Sequence, residues 1–121
     1  MLRFGHENLR VSDLEASIRF YEEMFGLSLI KHLQANAGPM AWLRDESTPD
    51  FFLELTEGDV APGSNHIAFV TDCREQCHAK HSAAGLIDEE IVGLGIYFLH
   101  DPDGNHIEVM PTEALDVLAG Q

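Results

Sequence analysis

The chain has 121 residues and a formal net charge of −14, from 21 acidic residues against 7 lysines and arginines. This length predicts one domain with room for a hydrophobic core, and the acidic excess argues against nucleic acid or an anionic membrane as a partner. No apolar run approaches the ~20 residues of a membrane span. The first residues lack a signal-peptide pattern, so we expect a cytoplasmic location.

The first half of the chain predicts the order β-α-β-β-β. Alternation of polar and apolar residues indicates strands at 4–11, 27–33, 40–44 and 51–56. Between the first two strands, an amphipathic helix is predicted from Asp13, its capping residue, to Phe25, with Gly26 ending it. Its apolar side is formed by Leu14, Ile18, Tyr21 and Phe25.

The second half predicts the same order. Residues 57–64 are rich in Gly, Pro and Ser and indicate a linker. After it we expect strands at 65–71, 87–92, 96–99 and 105–110, a helix at 72–84 and a helical tail at 112–119. The predicted fold is therefore α+β, one domain of residues 1–121. It holds module one at about 1–57, module two at about 64–111 and a C-terminal tail at 112–121.

The β-α-β-β-β order that occurs in both halves is an internal repeat, and it duplicates a histidine and a glutamate. His6 on the first strand corresponds to His66, and Glu54 on a later strand corresponds to Glu108. Repeats of this length are usually packing units. If the halves pack about a pseudo-twofold axis, two imidazoles and two carboxylates can converge on one cation. Such ligands suit Zn, Ni, Co, Fe or Mn rather than Mg or Ca.

The segment 101–104, Asp-Pro-Asp-Gly, predicts a tight turn between two strands. On the outgoing strand His106, Glu108 and Met110 share one face, because strand side chains alternate. A carboxylate on the concave side of a sheet is costly unless it meets a cation. For a single strand glutamate, a solvated face is the ordinary alternative.

A cation held by four protein ligands has two further positions when its coordination is octahedral. A substrate with two adjacent oxygens can occupy both, and the cation then stabilises negative charge on those oxygens, as in an enediolate. A carboxylate that detaches from the cation can serve as the proton-transferring base.

These residues resemble the vicinal oxygen chelate superfamily (glyoxalase/bleomycin resistance/dioxygenase) and within it are most similar to glyoxalase I, lactoylglutathione lyase. The similarity extends from His6 to Pro111. The motifs that carry it are His6-Glu-Asn-Leu-Arg10-Val-Ser-Asp13, Phe20-Tyr21 with Phe25-Gly26-Leu27, Glu54-Leu55-Thr56, Asn65-His66-Ile67-Ala68-Phe69, and the Asp-Pro-Asp-Gly turn leading to Ile107-Glu108.

The resemblance implies a curved mixed sheet of two tandem βαβββ modules around a metal site. Its metal ligands would be His6, Glu54, His66 and Glu108, with Glu108 as the catalytic base and Glu54 as its catalytic partner. Arg10 resembles the arginine that holds the γ-glutamyl carboxylate of glutathione; pairing with one of the many acids is the alternative.

The implied activity is that of a metal-dependent isomerase or lyase that converts a methylglyoxal–thiol hemithioacetal through an enediolate, a methylglyoxal detoxification. The short loops resemble the compact bacterial glyoxalases, which favours Ni or Co, with Zn, Fe or Mn as alternatives. A homodimer is expected. The expected partner is a small-molecule substrate, and neither nucleic acid nor membrane is expected to bind. The metal site would lie within one chain or across the dimer.

Other functions stay open. The segment Glu57-Gly58-Asp59 stands where glyoxalase I usually has an Asn and an aromatic, so it adds negative charge where glutathione would bind. The alternatives are a non-glutathione enzyme of the same superfamily, such as an epimerase or extradiol dioxygenase, and a drug-binding resistance-type module without catalysis.

A second cluster of possible metal ligands falls on the second predicted helix: Cys73, Cys77, His78 and His81. These residues could form a zinc site. The alternative, which we favour, is a half-buried helix whose thiols act as small apolar groups. Aromatic residues on predicted strands are more often part of the core than of a substrate pocket, so we favour core. These residues are Trp42, Phe51, Phe52, Phe69 and Phe98.

Overall fold

A computed structural model describes residues 5–48, 51–60 and 66–115. The chain divides into two compact units, Met1–Pro62 and Gly63–Gln121. Parts of four sequence predictions lie outside the described residues: the start of the first strand at 4, the linker positions 61–64, the start of the fifth strand at 65, and positions 116–119 of the tail.

The described residues of the first unit form four strands and one helix in the predicted order. The strands are β1 (His6–Val11), β2 (Ser28–Ala35), β3 (Gly38–Arg44) and β4 (Phe52–Glu57), and the helix α1 spans Leu14–Phe25. The strand order in the sheet is β1-β4-β3-β2. Strands β1 and β4 run parallel, whereas the other neighbours run antiparallel.

The second unit repeats this plan. Its strands are β5 (His66–Thr71), β6 (Ile87–Ile91), β7 (Ile96–His100) and β8 (His106–Pro111), and its helix α2 spans Arg74–Ala83. The order is β5-β8-β7-β6, again with one parallel pair, β5 and β8. Short 3₁₀ turns span Val92–Leu94 and Thr112–Leu115. The predicted α+β class and the two βαβββ modules are confirmed.

Helix α1 is capped at both ends as its sequence indicates. The Asp13 side chain accepts a hydrogen bond from the Ala16 N–H at 3.1 Å. Gly26 ends the helix in the left-handed conformation, with φ of 68°, which glycine adopts without a steric cost. The helix buries Leu14, Ile18 and Tyr21, so its apolar side is the side predicted from the spacing.

Helix α2 begins at Arg74, two residues after the predicted start at 72. Cys73 occupies the capping position, and its side chain makes no capping hydrogen bond. Its one buried side chain is His81, whose Nδ1 lies 2.9 Å from the Tyr97 hydroxyl. Burial raises the pKa of Tyr97, and Cys77 adds to the shift, so the hydroxyl stays protonated at neutral pH and can donate to His81.

The core of each sheet lies on the face opposite the predicted ligands. In the first unit Leu9, Val11 and Leu55 are at most 1% exposed, and in the second unit so are Ile107 and Val109. Because strand side chains alternate, these residues turn the intervening positions of β1, β4 and β8 to the other face. Among the described residues, no helix combines the length and apolar content needed to cross a lipid bilayer.

Candidate metal centre

The first histidine–glutamate pair is assembled by two neighbouring strands of the first unit. In the parallel pairing of β1 with β4, His6 lies opposite Phe52, and Asn8 lies opposite Glu54. This register brings His6 Nε2 to 3.5 Å from Glu54 Oε1. The imidazole remains accessible, with 44% of its side chain exposed, whereas the Glu54 side chain is 13% exposed.

The second unit builds the same pair with the corresponding strands. His66 lies opposite His106, and Ala68 lies opposite Glu108, in the parallel pairing of β5 with β8. His66 Nε2 is 3.7 Å from Glu108 Oε1, and the Glu108 side chain is 17% exposed. Each unit thus presents one imidazole and one mostly buried carboxylate. We call these two pairs the first and second half-sites.

Both separations suit two ligands of one cation better than a direct hydrogen bond. Hydrogen bonds from ring nitrogen to oxygen normally span about 2.7–3.2 Å. Two ligand atoms about 2.1 Å from a metal lie about 3.0–3.7 Å apart at ligand angles of about 90–124°. The described residues contain no group of three or more His, Cys, Asp or Glu side chains placed to hold a metal. Each half-site therefore offers two ligands.

Aromatic packing orients the ring of His6. The ring stacks on Phe52, with centroids 5.0 Å apart and planes 21° from parallel. Phe52 in turn packs against Trp42, with centroids 4.5 Å apart. From the sequence, core was the favoured interpretation of these two aromatics and a substrate pocket was the alternative. In the structure they contact the candidate site.

Glu54 is held by two hydrogen bonds that the sequence analysis missed. Asn8 Nδ2 donates to Glu54 Oε1 at 3.0 Å, and Trp42 Nε1 donates to Glu54 Oε2 at 2.8 Å. Asn8 also donates to Thr56 Oγ1 at 2.9 Å. The available signal was strand alternation, which places Asn8 on the face of His6; the pairing of Trp42 with Glu54 depends on the register between β3 and β4.

Glu108 has different surroundings. Among the described residues its one polar side-chain contact is with His66. The positions that correspond to Asn8 and Trp42 are Ala68 and Phe98, which lie opposite Glu108 on β5 and β7. Neither side chain can donate a hydrogen bond to a carboxylate. The two half-sites therefore share a backbone plan but differ in how they hold their carboxylates.

Arg10 lies on the same strand face as His6 and Asn8, because strand side chains alternate. It is exposed and lies opposite Thr56. Its guanidinium rests against Gly58, where an added Cβ would come within 2.7 Å of Arg10 Nη1. The backbone N–H of Gly58 donates to the Val11 carbonyl at 2.9 Å. Glycine at position 58 thus leaves the space that the guanidinium occupies.

Glu57 is directed at helix α1. Its Oε2 accepts a hydrogen bond from the Leu14 N–H at 2.9 Å, at the helix end where the dipole favours negative charge. Glu57 also belongs to the 57–59 segment, whose negative charge is expected from the sequence to lie near a glutathione site. The contact with Leu14 gives this carboxylate a structural role as well.

The predicted turn before β8 is organised by its first residue. Asp101, 1% exposed, accepts hydrogen bonds from the N–H groups of Asp103 at 2.9 Å and Asn105 at 2.8 Å. The Asn105 amide donates to the other oxygen of Asp101 at 2.8 Å. This network sets where β8 begins and hence the face on which Glu108 lies.

The cysteines and histidines of helix α2 have separate partners. The thiols of Cys73 and Cys77 lie 4.0 Å apart. His78 Nε2 contacts Glu90 at 3.0 Å, while His81 is bound to Tyr97. This arrangement agrees with the structural interpretation of the helix rather than with a zinc site.

The chain matches proteins of one superfamily along most of its length. Residues 3–109 match the family model of the Glyoxalase/Bleomycin resistance protein/Dioxygenase superfamily. The chain is 35% identical over 119 residues to "Uncharacterized protein YwbC" of Bacillus subtilis (strain 168), a match that covers 88% of this chain and 94% of that protein. It is 33% identical over 124 residues to a probable lactoylglutathione lyase of Vibrio parahaemolyticus, covering 89% of each.

A solved structure gives a similar result. The trypanothione-dependent glyoxalase I of Leishmania major superposes with a TM-score of 0.81 at 25% identity, covering 99% of this chain and 94% of that chain. The similarity thus includes both βαβββ modules.

Proposed function

Because the chain belongs to the Glyoxalase/Bleomycin resistance protein/Dioxygenase superfamily, we propose that it is a metal-dependent isomerase or lyase of the glyoxalase I type. Its substrate would be the hemithioacetal formed from methylglyoxal and a thiol. The observation that carries the proposal is the duplicated half-site, with His–Glu separations of 3.5 Å and 3.7 Å on equivalent strands.

The proposed metal ligands are His6, Glu54, His66 and Glu108. Two imidazole nitrogens and two carboxylate oxygens fit a divalent first-row transition metal, and we propose Ni or Co. The four ligands would meet within one chain or across a homodimer. When bound, such a cation supplies Lewis acidity to the two adjacent oxygens of the substrate.

The proposed proton transfer uses Glu108. Its carboxylate would remove the proton from the substrate carbon that bears sulfur and hydroxyl, and the electron pair would pass into an enediolate. Return of this proton to the adjacent carbon, formerly the carbonyl carbon, together with transfer of the hydroxyl proton to the oxygen on that carbon, gives a hydroxyacyl thioester. The reaction is an isomerisation, so it needs neither oxidant nor reductant. Glu108 suits this role because its one polar side-chain contact in the described part of the chain is His66.

Arg10 is proposed to bind a carboxylate of the thiol. It lies on the face of His6, two strand positions beyond Asn8. A guanidinium presents paired donors that match a carboxylate.

The proposal is tested by loading the protein with Ni²⁺, Co²⁺ or Zn²⁺ and following thioester formation from methylglyoxal mixed with glutathione or other small thiols. We expect turnover with at least one metal, and a loss of at least roughly 100-fold in Glu108→Gln, since a positioned general base contributes about that much or more. A matched control is Glu89→Gln, because Glu89 is an exposed residue of β6.

Absence of thioester formation with every metal and thiol would exclude the glyoxalase I reaction. Oxygen uptake with Fe²⁺ and a catechol would then support a dioxygenase, and epimerisation of an acyl thioester would support an epimerase. Purified protein that holds no metal and binds drugs would support the resistance-type module.

A further inference from the structure

We infer that Asn8 and Trp42 are positioning residues that hold Glu54 as a fixed metal ligand. The inference rests on the metal centre of the proposed function. Asn8 donates to one oxygen of the Glu54 carboxylate at 3.0 Å, and Trp42 donates to the other at 2.8 Å. The donors belong to the two strands on either side of β4, so they fix the carboxylate from both sides.

Both donors are themselves held in place. The Asn8 amide also donates to Thr56 Oγ1 at 2.9 Å, and Thr56 is 3% exposed. The Trp42 ring packs on Phe52 with centroids 4.5 Å apart. Rotation of the Glu54 carboxylate would break both hydrogen bonds, while each oxygen keeps a further lone pair for a cation. Glu54 can therefore bind metal without moving.

The second half-site shows that this restraint comes from side chains and not from the fold. The strand register around Glu108 repeats that around Glu54, yet Ala68 and Phe98 stand where the first half-site has Asn8 and Trp42. Glu108 consequently has no donor on either neighbouring strand at these positions. A carboxylate that acts as the base must leave the cation to carry a proton. The surroundings of Glu108 allow this movement, whereas the hydrogen bonds to Glu54 restrain it.

The test converts the first half-site into a copy of the second with the double variant Asn8→Ala/Trp42→Phe. Co²⁺ is the probe, measured by competition with a chromogenic chelator and by the visible absorption of the bound ion. We expect the Kd for Co²⁺ to rise roughly 10- to 100-fold, the usual cost of removing a group that orients a metal ligand. We also expect the absorption bands to change. The urea midpoint of the metal-free variant checks that the fold is intact.

The reciprocal variant, Ala68→Asn, adds an amide beside Glu108 at an exposed strand position. If the amide restrains Glu108 as Asn8 restrains Glu54, kcat falls about 10-fold or more while Co²⁺ binds at least as tightly as in the unmodified protein. Unchanged kcat in this variant would contradict the assignment of freedom to Glu108.

The outcomes separate the inference from the proposed reaction. Unchanged Co²⁺ affinity and spectrum in the double variant would overturn the inference. If the double variant binds Co²⁺ more weakly but the unmodified protein turns over no hemithioacetal, the inference stands and the proposed reaction fails. If the unmodified protein binds no Co²⁺, both are overturned.

Discussion

At the scale of single residues, two glutamates that look equivalent in the sequence have different neighbours. Both are strand residues with a histidine of the adjacent strand near one oxygen. Hydrogen bonds from Asn8 and Trp42 restrain one of them, while the other lies opposite Ala68 and Phe98. Residue type alone therefore identified candidate ligands but not the difference in their freedom to move.

Gly58 gives a test of Arg10 that leaves the metal ligands untouched. In Gly58→Ala the new Cβ would come within 2.7 Å of Arg10 Nη1, so the guanidinium must shift. We expect the KM for a glutathione hemithioacetal to rise several-fold, about 3- to 30-fold if one charged contact is weakened, with kcat little changed. Steady-state kinetics measure both constants.

Gly93→Ala is the matched control, because a Cβ at position 93 meets nothing within 4 Å. It should leave the KM unchanged. An unchanged KM in Gly58→Ala would show that the position of the Arg10 guanidinium is not important for binding the thiol.

At the scale of elements, the two helices begin differently although they occupy the same place in the repeat. Helix α1 starts with the carboxylates of Asp13 and Glu57 bound to its first N–H groups. Helix α2 starts at Cys73 without a capping hydrogen bond from that side chain. Side-chain caps satisfy backbone donors that the helix leaves unpaired, so α1 should depend on its capping residue more than α2 does.

Asp13→Ala should lower the free energy of unfolding by about 1 kcal/mol, the usual value of a helix-capping carboxylate. Cys73→Ala is the matched variant at the start of α2 and should cost markedly less. Urea denaturation of the metal-free protein, followed by circular dichroism, measures both. Equal losses in the two variants would contradict the difference in capping.

At the scale of the whole molecule, the proposed centre links metal binding to stability through both half-sites. A ligand that binds only the folded state at 100 times its Kd adds about 2.7 kcal/mol of stability, or roughly 10 °C in Tm for a domain of this size. We expect Ni²⁺ to raise Tm by about that amount, and either His6→Ala or His66→Ala to remove most of the rise. Two metals per chain, with each variant losing one, would indicate independent half-sites.

Mixing the same variants separates the two ways of completing the site. If a dimer pairs the first half-site of one subunit with the second half-site of the other, a heterodimer of His6→Ala and His66→Ala keeps one intact site. Refolding the variants together would then restore metal binding. If each site lies within one chain, refolding the variants together does not restore metal binding.

The sequence by itself determined the modules and the candidate ligands. Strand alternation placed His6, Asn8 and Arg10 on one face and Leu9 and Val11 in the core, because side-chain direction in a strand has a period of two. The spacing of apolar residues and the capping residues likewise located helix α1. These signals are local, so no tertiary information was needed to read them.

Only the tertiary structure decided which side chains contact one another. The hydrogen bonds of Glu54 depend on the registers of β1 and β3 against β4, between residues up to 46 positions apart. The role of Glu57 depends on the approach of β4 to the start of α1. Register between distant strands is set by packing of the whole sheet rather than by local preference, so these contacts could not be read from the residues alone.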